Sequence, residues 1–329
     1  MKKKWCAVFT AMVLAAAAFA DDFPAYLDIV RTREDVFLIG AKSPHLVPAN
    51  LVIPKGVTII GQKAFEGNTR ITSVTIPNSV TGIASTAFKD CTSLTSVTIP
   101  SSAWIIDGRA FEGCTSLASV VIENGMKEIC YGAFADCTSL TSVTIPRSVA
   151  EIGTGAFDKC NELKEVYYTG TRAQWNNIKG VGNNRELLRA MIVCSDGEQR
   201  PQARNGVVTN GSIVCGYTSN LPANLVIPQG ITVIGAYSFA HCKSLVSVAI
   251  PNGVMYISGA AFAGCESLMS VTIPRTVTEI NVYAFVKCHS NLEIQYSGTK
   301  AQWNVIKKGS NAIDVFTIVH CTDGDIIVN

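Results

Sequence analysis

The chain has 329 residues, 48% of them hydrophobic, with 27 Lys and Arg against 25 Asp and Glu. A balance this near neutral, with no basic stripe and no like-charge run, excludes a nucleic-acid partner and an interaction tail of one sign. The apolar fraction is ample for a core.

In chain order, residues 1–20 read as a secretory signal peptide. Lys2–Lys4 form its charged start, Trp5–Ala18 its apolar stretch, and Ala18-Phe19-Ala20 the small-residue cleavage site. The apolar run is too short for a membrane anchor, and no later stretch is apolar enough to span a bilayer. The expectation is an exported protein, secreted or held at the cell surface, with the periplasm as the alternative and no membrane insertion. Residues 21–47 form a lead-in whose apolar patch, Val36-Phe37-Leu38-Ile39, is expected to cover the first rung of a stack beginning near Pro48.

From there a repeat governs the sequence. Phe65, Phe88, Phe111, Phe134 and Phe157 stand 23 residues apart, and Phe239, Phe262 and Phe285 keep the same step. Leu, Val and Ile recur at fixed offsets from each Phe, the pattern of a leucine-rich-repeat solenoid whose coils must stack to bury their apolar faces. The words Pro48-Ala49-Asn50-Leu51-Val52-Ile53-Pro54 open one array, and Pro222-Ala223-Asn224-Leu225-Val226-Ile227-Pro228 open a second. Both arrays close alike, on Gly170-Thr171-Arg172-Ala173-Gln174-Trp175 and Gly298-Thr299-Lys300-Ala301-Gln302-Trp303. The second array is therefore a duplicate of the first, shorter by two periods. The division expected is residues 48–197 for the first array with its closing cap, a linker at 198–206, and residues 207–329 for the second array with its cap.

Within the unit Leu140–Glu162, Val143 and Ile145 lie two apart on one face of a strand, and Pro146 stops its ladder. Val149 and Ile152 return to the core, and Ala156-Phe157 fill the interior. The rungs should be parallel strands about 4.8 Å apart, joined by mostly irregular or short-strand sides. Each closing segment carries a T-x-x-Q capping box for a short helix, at Thr171 and Gln174 and at Thr299 and Gln302. Trp175 or Trp303 should then cover the last rung. Strands at Met191–Cys194 and Thr317–Cys321 lead into expected hairpin turns at Asp196-Gly197 and Asp323-Gly324, so that 318–329 ends as a hairpin. Polar residues 198–205, with Pro201, read as a surface loop or hinge. Val207–Cys215 reads as a hairpin turning at Asn210-Gly211.

The unit C-x-S-L-x-S-V-x-I-P-x-S-V-x-x-I-x-x-x-A-F resembles the BspA-like leucine-rich repeats of secreted and surface proteins, over about 51–168 and 225–296. The closing G-T-[RK]-A-Q-W segments look like those that end arrays in the same family. The resemblance implies a right-handed solenoid with an exposed sheet and a role in adhesion or protein binding. Glu123 departs from it where Pro is expected, Asn68 replaces the first ladder Cys, and Leu292 stands one place late.

Candidate chemistry is sparse. Cys91, Cys114, Cys137 and Cys160 keep the period, as do Cys242, Cys265 and Cys288. They have no C-x-x-C or His partner at metal-ligand spacing, and parallel side chains one rung apart do not suit disulfides. They read as buried small fillers, while a Cys194–Cys215 bridge across the linker is a weaker alternative. His45, His241, His289 and His320 lie in no catalytic motif. Asp323 and Asp325 around Gly324 read as a turn rather than a calcium loop, and Asn210-Gly211-Ser212 as a turn rather than a glycosylation acceptor. No enzyme, metal or cofactor is expected.

The outward positions of the rungs are the candidate contact surface: Ser73, Thr75, Ser96, Thr98, Ser142, Thr144, Glu165 and Tyr167 in the first array, and Ser270, Thr272, Glu293 and Gln295 in the second. The middle rungs carry small hydroxyls that suit solvated strands in any case. Tyr167 and Glu165 are better contacts, because aromatic residues are enriched at interfaces. The reading is a non-enzymatic binding or adhesion module for a protein or glycan. A spacer or surface coat without a single ligand is the alternative, and a water- or ice-organising Ser-x-Thr ladder a more distant one.

Overall fold

A computed structural model describes residues 23–315 and 317–328. The expected signal peptide lies outside the described residues. The chain forms two compact units: residues up to Ala150 together with Lys159–Glu162, and Glu151–Asp158 together with Leu163 onward. The first cap thus packs as one body with the second array.

In the first unit the lead-in is a hairpin, Leu27–Arg31 against Val36–Ala41. Its second strand continues into the array, with Phe37 beside Ile59 and Leu38 beside Ile60 in parallel register. Phe37 and Leu38 are buried, so the apolar patch does cover the first coil. Every coil then contributes one strand of three or four residues to the broad sheet: Asn50–Val52, Ser73–Thr75, Ser96–Ile99, Ser119–Ile122 and Ser142–Ile145. A two-residue strand goes to a second sheet, at Ile59–Ile60, Gly82–Ile83, Ile105–Ile106 and Glu128–Ile129. Register is kept from coil to coil, as in Ser96 beside Ser119 and Ser119 beside Ser142.

That register comes from identical apolar offsets. Leu140, Val143, Ile145, Val149, Ile152, Ala156, Phe157 and Cys160 are all buried. The phenylalanines stack with ring centroids 5.2, 5.2 and 5.3 Å apart from Phe65 to Phe134. In the second unit the spacing is 5.1 Å from Phe239 through Phe262 to Phe285. Rings repeat almost at the spacing of strands, so neither sets a strain on the other.

The Ala-Phe corner needs two left-handed residues, two before and two after the Phe. Lys63, Thr86, Arg109, Gly132 and Gly155 take the first position, and Gly67, Asp90, Gly113, Asp136 and Lys159 the second. Non-glycine residues accept this conformation at about 1 kcal/mol each, a cost repaid by burying the ring. At Thr86 (φ 56°) the hydroxyl is in addition buried without a partner.

In the second unit, strands Asn224–Val226, Ser247–Ala249, Ser270–Ile273 and Glu293–Tyr296 run parallel, and the hairpin Ile318–Cys321 with Gly324–Ile327 ends the sheet. Helices α1 (Arg172–Asn176) and α3 (Lys300–Val305) each begin with a complete capping box. The first cap also holds a 3-10 turn at Val181–Asn183 and a second helix, α2 (Arg185–Arg189), which the sequence did not signal.

Three turns differ from expectation. The hairpins close on Cys194 opposite Gly197 and on Cys321 opposite Gly324, so Ser195-Asp196 and Thr322-Asp323 are the loops. The cause is a second duty of each Asp: Asp196 Oδ1 accepts the Arg172 amide and Asp323 Oδ1 the Lys300 amide, both at 2.8 Å, at the helix starts. Asn210 stays in its strand opposite Ile213, and the loop is Gly211-Ser212. Its buried amide donates to Leu188 O at 2.9 Å and Ala190 O at 3.1 Å, which removes it as a glycosylation acceptor. Finally, the polar stretch read as a surface loop forms two short strands, Gly197–Gln199 and Gln202–Arg204, each paired antiparallel with a neighbour.

Candidate functional site

On the first unit the outward side chains form two rows. Asn50, Ser73, Ser96, Ser119 and Ser142 make one; Val52, Thr75, Thr98, Val121 and Thr144 make the other. The first row closes on itself at its start, where Ser73 Oγ donates to Asn50 Oδ1 at 2.8 Å. Exposed Val52 and Val121 interrupt the threonines, so the row is not a continuous hydroxyl ladder.

On the second unit the rungs next to the caps are different. Glu165 and Tyr167 lie beside Met191 and Val193. The Tyr167 hydroxyl donates to Glu165 Oε2 at 2.5 Å, and this bond, with the carboxylate's charge, holds the phenol above its ordinary pKa. Tyr167 keeps 42% of its surface exposed. Along the second array the rows run Asn224, Ser247, Ser270, Glu293, Ile318 and Val226, Ala249, Thr272, Gln295, His320. His320, which no motif singled out, sits between two carboxylates: Nδ1 is 2.9 Å from Asp325 Oδ1 and Nε2 3.3 Å from Glu293 Oε2. The Asp325 hydrogen bond leads in raising its pKa, with Glu293 adding to it. Glu293 lies a full coil from His320, which is why only the register brings them together.

The ladder cysteines are more than fillers. Cys91, Cys114, Cys137 and Cys160 each point Sγ at the carbonyl of the Phe 26 residues earlier, as do Cys265 and Cys288 in the second unit, all at 3.1–3.3 Å. The thiol is a weak donor that serves a carbonyl turned inward at the Phe corner. Burial pushes Cys265 and Cys288 up to about 12, and Cys194 and Cys215 to about 11, so these are unreactive thiols. Cys194 and Cys215 are both free, so they form no bridge. Where Asn68 replaces the first Cys, its Oδ1 instead accepts the Arg70 amide at 3.0 Å. Glu123, in place of Pro, accepts the Ser101 amide at 2.9 Å.

The surface also carries hollows. One, in the first unit, has a volume of about 390 Å³ and lies by Gly40, His45, Phe65 and Asn68. Another, of about 430 Å³, lies wholly in the second unit between the first cap and the second array. Among the described residues no group of His, Cys, Asp and Glu is arranged to hold a metal, and no helix is long and apolar enough to cross a membrane.

Stacked parallel rungs of 23 residues, an exposed sheet and capped ends define a leucine-rich-repeat solenoid. The BspA type leucine rich repeat region matches residues 48–164 and 215–317 in six copies, and the chain belongs to that family. Among solved structures it is similar to a leucine rich cell surface protein of Faecalibacterium prausnitzii, at 23% identity and a TM-score of 0.44 over 89% of this chain and 99% of that one. A leucine-rich repeat protein of Bacteroides ovatus is 23% identical with a TM-score of 0.48, over 90% of this chain and 80% of that one. The pneumococcal vaccine antigen PcpA is 15% identical with a TM-score of 0.44, over 91% and 87%. No curated protein matches the chain.

Proposed function

We propose that the chain is a non-enzymatic binding module, exported and acting at the cell surface, that holds a protein partner on its sheet face. The observation that carries this reading is the contrast along the face. Most rungs bear Ser, Thr, Val or Ala, whereas those beside the caps present Glu165 with exposed Tyr167, and Glu293 and Gln295 with His320. Large, chemically distinct groups on a flat surface suit a protein contact, where a few anchors carry most of the affinity. A surface role is in keeping with the family and with the cell-surface description of the Faecalibacterium structure.

The test is binding of the purified chain to an array of matrix proteins and surface glycans. Saturable binding to a protein, weakened about tenfold by Tyr167→Ala or Glu293→Lys, supports the reading. A folded sample that binds nothing on the array indicates a spacer or coat instead.

A further inference from the structure

The groove of the second unit is built by a departure from the duplication. Gly180-Val181-Gly182 in the first cap stands where the second cap has Lys308-Gly309-Ser310. A Cβ at Gly180, whose φ is 79°, would meet Ile152 O at 2.1 Å, and one at Gly182 would meet Val233 Cγ1 at 2.6 Å. Gly180 thus lets the strip lie against Ile152 at the end of the first array, and Gly182 lets it lie against Val233 of the second. It is fastened there by the Ala236 amide donating to Gly182 O at 2.8 Å. Asn184, buried behind the strip, donates to Gly153 O and Gly180 O and accepts from the Phe157 amide.

The result is a groove of about 430 Å³, within the range of about 300–1,000 Å³ that small-ligand sites occupy. One wall is a register row, Val233, Tyr256, Glu279 and Lys307, with Asn281 beyond it. The other is the cap strip with Asn177. Its two charged pairs, Lys179–Glu151 and Lys307–Glu279, are each closed at 3.0 Å, so the groove offers a ligand no unpaired ion of either sign. That disfavours phosphates and other anions. Backbone groups of the array wall are already engaged in the parallel ladder, so an added peptide strand has no edge to pair with. The free groups are uncharged: among the described residues, the Asn177 and Asn281 side chains have no hydrogen-bond partner, and Tyr256 is 37% exposed. Amides that donate and accept, beside an aromatic face, match a ligand with hydroxyls at its rim and C–H groups on its flat side.

We propose that this groove binds a neutral di- or trisaccharide, with Tyr256 as the platform for a sugar ring and Asn177 and Asn281 bonding its hydroxyls. The site is separate from the sheet face and stands or falls independently of the protein partner proposed there.

The experiment is calorimetric titration of the full chain with cellobiose, lactose, maltose and N,N′-diacetylchitobiose, each to about 10 mM, a range that reports affinities of millimolar and tighter. At least one sugar should bind. Tyr256→Ala and Asn281→Ala should each weaken it about tenfold, while Tyr256→Phe keeps the ring and changes affinity less than about threefold. Tyr167→Ala on the sheet face should leave sugar binding unchanged. Circular dichroism and melting curves establish that each variant is folded, and Asn281→Ala with Tyr256→Phe decide the matter if Tyr256→Ala is not. The proposal is overturned if none of the four sugars binds, or if folded groove variants bind as the parent chain does.

Discussion

The two closing caps are written in nearly the same words and do different work. Both begin with a complete capping box, both draw an Asp from a hairpin loop onto the helix start, and both set a buried Trp edge-on against a Tyr. The Tyr168–Trp175 and Tyr296–Trp303 centroids are 5.3 and 5.1 Å apart. They diverge in the strip after the helix. In the first cap Gly180 brings the backbone against Ile152 and Gly182 brings it against Val233 of the second array. In the second, Lys308 folds back, its ammonium 4.9 Å from the Trp303 ring centroid and donating to Trp303 O at 2.7 Å and Ile306 O at 3.2 Å. Burial holds that ammonium below its ordinary pKa. The same end plate thus packs against a further array in one copy and draws a lysine back onto its own tryptophan in the other, and a handful of residues make the difference.

The shared part of the caps should be the costliest to lose. Trp175→Ala and Trp303→Ala each empty a large buried site and are expected to lower stability by about 4 kcal/mol in urea titrations. Equal losses would show that the plates are energetically alike despite their different surroundings. The divergent strip comes next. Gly180→Ala forces a left-handed alanine whose Cβ overlaps Ile152 O, at an expected cost of about 3 kcal/mol. Lys308→Ala, at the matching position, should cost only about 1 kcal/mol. Thermal melts that ranked them the other way would break the distinction between the two strips. Removing one cap hydroxyl, by Thr171→Ala or Thr299→Ala, should cost about 1 kcal/mol in either copy.

The smallest effect belongs to a position where the copies differ. By register, Val193 beside Tyr167 corresponds to His320 beside Gln295. His320 has its pKa raised in the folded chain by Asp325 and Glu293. Its contribution is therefore fully present below the unfolded value of about 6.5 and is lost as pH rises through the raised folded value. A proton NMR titration should place the His320 midpoint above about 6.5, and Asp325→Asn should bring it back down.

Much of this molecule was legible as sequence because each coil repeats one solution to one packing problem. The step between phenylalanines gave the rung, Val143 and Ile145 its inward face, and Thr171 with Gln174 the helix start. The features that escaped depend on contacts the period does not encode. The left-handed corner positions are occupied by Lys, Thr, Asp and Tyr as well as Gly, so composition hid them. The thiol-to-carbonyl bonds arise from how the Phe corner turns its carbonyl inward. His320 and Glu293 meet only through sheet register. The groove could have been suspected by aligning the caps, since Gly180 and Gly182 against Lys308 and Ser310 is their sharpest local difference. Its form, however, rests on how the strip lies against Val233. The hairpin turns moved by one residue because the Asp was needed at the helix as well as in the loop.

The stacked rings have a consequence at the level of the gene. Because phenylalanine repeats along the stack at nearly the interval of the strands, any interior coil presents the same two surfaces to its neighbours. Unequal recombination that gains or drops one coil's worth of codons therefore leaves every junction intact. The two arrays, differing by two whole periods, are the kind of product such events leave behind. Length here is a heritable variable that selection can adjust without redesigning a core.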